Sequence, residues 1–358
     1  MFRDEDIRLM EIFANTVSVA IDNFREFKEL KENSQSLITQ IKHLHRLDEI
    51  IYESSPMREI TAILQKATQS DVTVLIEGES GTGKELIANY LHYNGTRCGK
   101  PFVAVNCAEI QPTLSESILF GHKKGSFTGA ISSQKGLVEA ANQGTLFLDE
   151  ISNLHPTAQA QLLRFIETKT FRLVGGNDDI KVDVRLIAAS NQNLENEIKN
   201  GQFRTDLFYR INVLRIVLPP LRERIEDIPL LIQHFMKKYR SSPHPIEIAP
   251  ETLKILEAYH WPGNIRELRN EIEKIHTLYN TSLIKSEHLS DRIRYFCNMG
   301  TSGRSPKLKE ARDNFEKQLI IDALQKHSGN RTHTSRYLGL TRTNLNSKMK
   351  KYRIVFPS

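Results

Sequence analysis

Residues Gly78 to Lys84 read G-E-S-G-T-G-K, and no other stretch limits the fold of this chain as tightly. A glycine, four residues, then Gly83-Lys84 is the spacing of a phosphate-binding P-loop, which works only between a buried strand and the start of a helix. Both flanks fit. Val72 to Ile76 is an apolar run that predicts the strand, and Leu86, Ile87, Tyr90 and Leu91 share one helical face beyond it. Glycines let backbone N–H groups turn around an anion, the helix N-terminus adds partial positive charge, and Lys84 can reach the β- and γ-phosphates. The candidate nucleotide-binding residues are therefore Gly78, Glu79, Ser80, Gly81, Thr82, Gly83, Lys84 and Glu85. Glu85 stands where many P-loops carry a Ser or Thr for Mg²⁺. Taken alone, the pattern also suits a plain glycine-rich turn.

A second segment removes that alternative. Leu146-Phe147-Leu148 ends in Asp149-Glu150. Two carboxylates at a strand tip repel each other unless a cation lies nearby. Asp149 is the candidate Mg²⁺ residue, acting through the ion's water shell, and Glu150 the group that orients and polarises an attacking water. Together the two motifs predict ATP binding with Mg²⁺ and hydrolysis.

Length and composition set the surroundings. A chain of 358 residues predicts two or three domains, and 39% hydrophobic with 26% charged residues is ordinary for a globular protein. No apolar run approaches the ~20 residues that span a bilayer. The start, M-F-R-D-E-D, has no apolar core of a secretory signal. Cys98, Cys107 and Cys297 follow no paired or metal-ligand spacing and read as free thiols of a reducing cytoplasm. The net charge of +6 is uneven: residues 304–358 hold 13 Lys/Arg and 4 Asp/Glu, a balance of +9, against −3 for the rest. A basic tail module implies a polyanion partner, nucleic acid first.

Along the chain, Ile7, Met10, Phe13, Ala14, Val17, Ile21 and Phe24 predict a helix with one apolar face. Leu30, Leu37, Leu44 and Ile51 then recur every seven residues, as in a short coiled coil or a helix laid on a domain surface. From about 54 to 233, predicted strands Val72–Ile76, Phe102–Asn106, Thr145–Leu148 and Val184–Ala188 alternate with helices, the α/β pattern of a parallel sheet. Residues 225–289 read as all-helical, with Trp261-Pro262-Gly263-Asn264 as a turn. Asn298 to Pro306 has linker composition.

Residues 53–290 resemble the AAA+ domain of bacterial sigma-54-dependent transcription activators, the NtrC/NifA type. The segment Gly121 to Ala130, G-H-K-K-G-S-F-T-G-A, carries the likeness: its last six residues resemble the family's G-A-F-T-G-A loop, with Ser126 for the usual Ala. The resemblance implies that Phe127 and Thr128 touch sigma-54. It implies that Asn106 is a switch holding Glu150 and that Asn191 is the sensor I residue by the γ-phosphate. Arg204 and Arg210 would be fingers reaching a neighbouring subunit's ATP, a task suited to a planar, always-charged fork. Arg266, in W-P-G-N-I-R-E-L, would be sensor II. Such fingers imply a homo-oligomer, up to a hexameric ring. The implied organisation is an α/β AAA+ ATPase subdomain over 53–224, a helical lid over 225–290, a linker over 291–306 and a small all-α domain over 307–358. Residues 1–29 resemble the last helix of a GAF sensory domain, followed by the coiled-coil-like stretch 30–52.

The tail resembles a FIS-type helix-turn-helix. Asn330 can cap a helix over 331–338, Gly339 makes the turn, and Thr341 can cap a recognition helix over 342–350. Arg342, Thr343, Asn344, Asn346 and Lys348 are its candidate DNA contacts; a dimer would read two-fold double-stranded enhancer DNA. The whole predicts an activator that couples ATP hydrolysis to opening of the sigma-54 RNA polymerase complex, with no membrane partner. Another AAA+ machine would lack the loop at Phe127 and the basic tail. A passive DNA-binding regulator would not need both acids.

Overall fold

The computed structural model describes residues 50–127, 130–239, 247–279, 283–300, 330–352 and 354, with positions 313, 316, 317, 319–321, 323 and 324 of the C-terminal segment. The helix and heptad pattern expected before residue 50 lie outside these, as does Thr128. The chain divides into two compact units, Met1–His288 and Leu289–Ser358.

The first unit begins with α1 (Ser55–Ala67), where Pro56 fits the first turn and Met57, Ile60, Thr61, Leu64 and Ala67 form the buried face. β1 (Val74–Glu77), the P-loop and α2 (Lys84–Tyr93) follow. Next come β2 (Phe102–Asn106), α3 (Ser115–Phe120), β3 (Gly121–His122), β4 (Gln134–Lys135), α4 (Leu137–Ala140) and β5 (Thr145–Asp149). α5 (Pro156–Thr168) leads into the hairpin β6 (Thr170–Phe171) and β7 (Ile180–Lys181). β8 (Arg185–Ser190), α6 (Leu194–Lys199), α7 (Thr205–Ile211) and β9 (Leu214–Val217) complete the α/β part.

Five strands form one parallel sheet in the order β2-β5-β8-β1-β9. Strand alternation feeds two cores. Leu75, Leu146, Leu148, Leu186 and Ala188 pack on one face with Leu162 and Phe165 of α5. Val74, Ile76, Phe147, Ile187 and Ala189 pack on the other with Leu64 of α1 and Leu91 of α2. Burial on both faces is why these strands read as unbroken apolar runs. The P-loop, Asp149 and Asn191 all follow the carboxyl ends of strands, the edge where open α/β sheets bind ligands.

Two expectations shift here. β9 was not predicted: it is an edge strand whose Arg215 and Val217 are exposed, so its pattern lacks the apolar run. The segment 225–289 is not all-helical. It holds α8 (Asp227–Tyr239), β10 (Glu247–Ile248), α9 (Pro250–Ala258), α10 (Asn264–Leu278) and β11 (Leu283–Ile284), and the two short strands pair in parallel. Strands of two residues carry no legible periodicity. Trp261 anchors the turn between α9 and α10: it is fully buried, donates from Nε1 to the Leu256 carbonyl at 2.7 Å, and sits edge-on to Tyr259.

In the second unit, the expected linker is helical at first, as α11 (Asp291–Gly300). α12 (Arg331–Tyr337) and α13 (Arg342–Lys351) form the helix-turn-helix, with Leu345 and Met349 packed on Ile320 and Leu324. Among the described residues no helix is long and apolar enough to cross a membrane.

Candidate active site

The P-loop wraps one end of a cavity of about 530 Å³, lined also by Asp149, Glu150 and Arg266. Gly81 and Gly83 have φ of +80° and +106°, a region that side chains rarely adopt. At Gly81 space is closed too, since a Cβ would lie 2.3 Å from the Gly263 carbonyl oxygen. Lys84 is buried at the start of α2 and donates to the carbonyls of Gly78 and Glu79 at 2.8 and 3.2 Å. Burial pulls its ammonium below the usual lysine range, an effect opposed by the charges of Asp149 and Glu150. Glycine-enforced backbone, a helix N-terminus and a buried cation make a cradle that fits a polyphosphate. Thr82 bonds back to the Glu79 carbonyl at 2.8 Å, and Glu85 is exposed.

Across the cavity, Asp149 ends β5 and its carboxylate accepts from the Glu150 amide at 2.9 Å. Glu150 itself is left-handed, with φ +52° and ψ +46°. A strained backbone of this kind turns the carboxylate off the strand and costs of order 1–3 kcal/mol. Asn191, just past β8, donates from Nδ2 to Glu150 at 3.1 Å, and Asn153 donates to its other oxygen at 3.4 Å.

The expected hold of Asn106 on Glu150 is not made here. Asn106 accepts from the Ala108 amide at 3.0 Å and donates to Glu109 at 3.0 Å. It caps a short helical turn, where asparagine is at its most stable. Asn191, expected only beside the γ-phosphate, is the asparagine that bonds to Glu150. Cys107, buried beside these acids, has its thiol pushed up to about 12 by burial first and then by Asp149 and Glu150. It is inert as a nucleophile.

Arg266 reaches the P-loop and donates to Ser80 Oγ at 3.1 Å. Arg204 and Arg210 do not line the cavity. Arg204 pairs with Asp206 at 2.7 Å and lines a separate groove with Gln159 and Tyr209; Arg210 pairs with Glu167 at 3.1 Å. Both guanidinium groups are about half exposed.

The glycine-flanked loop leaves the α/β body on the β3–β4 pair. The Phe127 ring packs edge-on against His122 at 5.0 Å, and His122 Nδ1 lies 2.8 Å from Ser117 Oγ. Ser126 abuts Gly175 of the β6–β7 hairpin so closely that a Cβ there would approach its Cβ to 2.6 Å. The Lys123 amide donates to the Val174 carbonyl at 3.0 Å, and its ammonium pairs with Asp178 at 2.8 Å. The two hairpins are thus in direct contact through backbone, side chain and an exposed ion pair.

In the second unit, Asn330 caps α12 through two amides and Thr341 caps α13 through the Asn344 amide. Gly339 turns the chain at φ +64°. Arg342, Thr343 and Asn344 are exposed, as expected of contacts to a ligand. Asn346 is partly covered and accepts from Arg331 at 3.4 Å. Lys348, a candidate DNA contact, is ion-paired with Glu316, a partner that helical spacing within α13 could not reveal.

Sequence reasoning missed several residues that hold the P-loop from outside. Asn264 is fully buried, with φ +50°, and bonds both to Glu79 and to the Ser80 carbonyl. Arg222 makes two bonds to Glu79, at 2.8 and 2.7 Å, and Arg224 donates to the Thr82 carbonyl. Trp261-Pro262-Gly263-Asn264 was legible only as a turn.

Comparison with known proteins adds the family. Residues 50–217 match the sigma-54 interaction domain, 222–303 an AAA+ ATPase lid domain, and 311–352 the Fis family of bacterial regulatory proteins. The regulatory protein AtoC of Escherichia coli is 45% identical over 89% of this chain and 72% of its own length. The nitrogen fixation protein AnfA of Azotobacter vinelandii is 39% identical over 99% of this chain and 67% of its own. NtrX from Brucella abortus, solved in complex with ATP, superposes with a TM-score of 0.67 at 32% identity over 95% of this chain and 76% of that one. The chain belongs to the sigma-54-dependent transcriptional activators, AAA+ ATPases that carry a Fis-type DNA-binding helix-turn-helix.

Proposed function

We propose that this ATPase works in the cytoplasm as an oligomeric ring, completed in trans, that remodels sigma-54 RNA polymerase from enhancer DNA. One observation carries the reading: Lys84, Asp149 and Glu150 face one cavity, while Arg204 lies outside it, half exposed. A finger that cannot serve its own chain's nucleotide suits a neighbour's.

In this reading the P-loop amides and Lys84 bind the phosphates of ATP. Mg²⁺ held through Asp149 and the phosphates would supply charge to the leaving group; few protein ligands are normal for this ion. Glu150, steadied by Asn191, orients and polarises the attacking water. Arg204 and Arg210 of an adjacent copy stabilise charge developing on the phosphoryl oxygens, and Arg266 couples the lid to the nucleotide. Asn106 would take over Glu150 only after leaving its cap on Ala108. Phe127 and Thr128 engage sigma-54. Arg342, Thr343, Asn344 and Asn346 read base edges, and Lys348 reaches phosphate when it leaves Glu316.

The test is ATPase activity per protomer against protein concentration, with Arg204→Ala beside the wild type. Activity that climbs with concentration and collapses in the variant is expected. Flat or variant-insensitive activity refutes trans completion.

A further inference from the structure

Three consecutive P-loop carbonyls are each held by a residue outside the loop. Ser80 O accepts from Asn264 Nδ2 at 3.0 Å, Gly81 O from the Ile265 amide at 3.0 Å, and Thr82 O from Arg224 Nη2 at 3.0 Å. Asn264 is central. Its Oδ1 accepts from the Leu221 amide at 2.7 Å, so one carboxamide ties the α9–α10 turn both to the P-loop and to the segment that carries Arg222 and Arg224. Its Nδ2 also reaches Glu79, which Arg222 grips with two bonds.

In a trans peptide the C=O and the following N–H point in opposite directions. Holding the carbonyls of residues 80, 81 and 82 from outside the loop therefore turns the following N–H groups the opposite way; that of Thr82 donates to the Glu79 carbonyl at 3.4 Å, which leaves those of Gly81 and Gly83 for an anion. Those are the groups that form an anion nest. Gly81, with φ of +80°, has the backbone freedom for such planes to flip, so something must fix them.

We propose that Asn264 is a positioning residue for nucleotide binding: with Ile265 N–H and Arg224 it locks the P-loop peptide planes in the phosphate-accepting orientation. The proposal rests on the cavity being the nucleotide site. Lid position then sets nucleotide affinity directly through the P-loop backbone, independently of any contact between Arg266 and phosphate.

Two substitutions separate this role from a purely structural one. Asn264→Gly tolerates the left-handed backbone and removes the carboxamide. Asn264→Asp keeps an acceptor for Leu221 N–H but replaces the donor with a carboxylate facing Glu79 and Ser80 O. Binding of a fluorescent ATP analogue with Mg²⁺ is measured with melting temperature and kcat. Both variants should bind at least about tenfold more weakly, the worth of one or two net hydrogen bonds. Turnover at saturating ATP should stay within about threefold. Wild-type affinity in either folded variant overturns the proposal. Failure of the wild type to bind the analogue would instead overturn the assignment of the cavity. Should neither variant fold at the assay temperature, hydrogen exchange on the wild type decides. MgADP must then slow exchange at the Leu221 and Ile265 amides, because coupling is reciprocal, and unchanged exchange overturns the proposal.

Discussion

Asp227, the first residue of α8, offers a quantitative test of how the helical segment after residue 225 is tied to the start of α1. Its carboxylate is fully buried. Oδ1 accepts from the Glu53 and Ser54 amides at 2.6 and 2.8 Å, Oδ2 accepts from Ser54 Oγ at 3.0 Å, and Arg224 lies 3.9 Å away. Arg224 is buried as well, and desolvation draws its guanidinium below the usual arginine range. Asp227→Asn retains an oxygen for both amides and removes the charge; with charge-assisted bonds about twice as strong as neutral ones, it should cost about 2–3 kcal/mol. Asp227→Ala also strands two amides and leaves a buried cation unpaired, for about 4–5 kcal/mol. Trp261 is the chain's single tryptophan and is buried, so its fluorescence reports urea unfolding. At a slope near 3 kcal/mol per molar, the midpoints should fall by about 0.8 M and about 1.5 M. A loss below about 1 kcal/mol for the alanine variant refutes the reasoning.

Glu150→Gln should bind Mg-ATP within about threefold of wild type yet lose about 10²- to 10⁴-fold in turnover, the usual worth of a positioned base; normal turnover in steady-state assays would reject the assignment. Glu79 supplies a pH signature. Hydrogen bonding from Arg222, aided by Asn264 and opposed by desolvation, holds its carboxyl below the ordinary range. A depressed folded pKa stabilises above the unfolded value, about 4.3, and that contribution is lost as pH falls through the folded value. Both partners are about 40% exposed, so the pair contributes under about 1 kcal/mol. The gap in urea midpoint between wild type and Arg222→Met should therefore be small at pH 7 and close below about pH 4; a gap that widens in acid contradicts it.

The residues that carry chemistry were legible because they belong to contiguous segments. Gly78 to Lys84 must have glycines where φ is positive, and Asp149-Glu150 must end an apolar strand, so each pattern survives in one dimension. The cap residues Asn330 and Thr341 were legible for the same reason, since a cap bonds within three residues of itself. Fold class followed from the strands buried on both faces. β9, the β10–β11 pair and the helical start of the supposed linker did not, because edge exposure and short length erase periodicity.

What sequence by itself determined is the local chemistry: a phosphate loop, an acidic strand tip, a glycine-flanked aromatic loop and a basic helix-turn-helix. Tertiary structure alone decided which groups meet. Asn191 rather than Asn106 holds Glu150, although both asparagines sit at strand ends. Lys348 is taken by Glu316, 32 residues earlier. Asn264 lies 184 residues from the Ser80 carbonyl it holds. Hydrogen bonds and ion pairs act over a few ångströms, and proximity between distant segments is set by how the sheet order and lid pack, which no window of sequence contains.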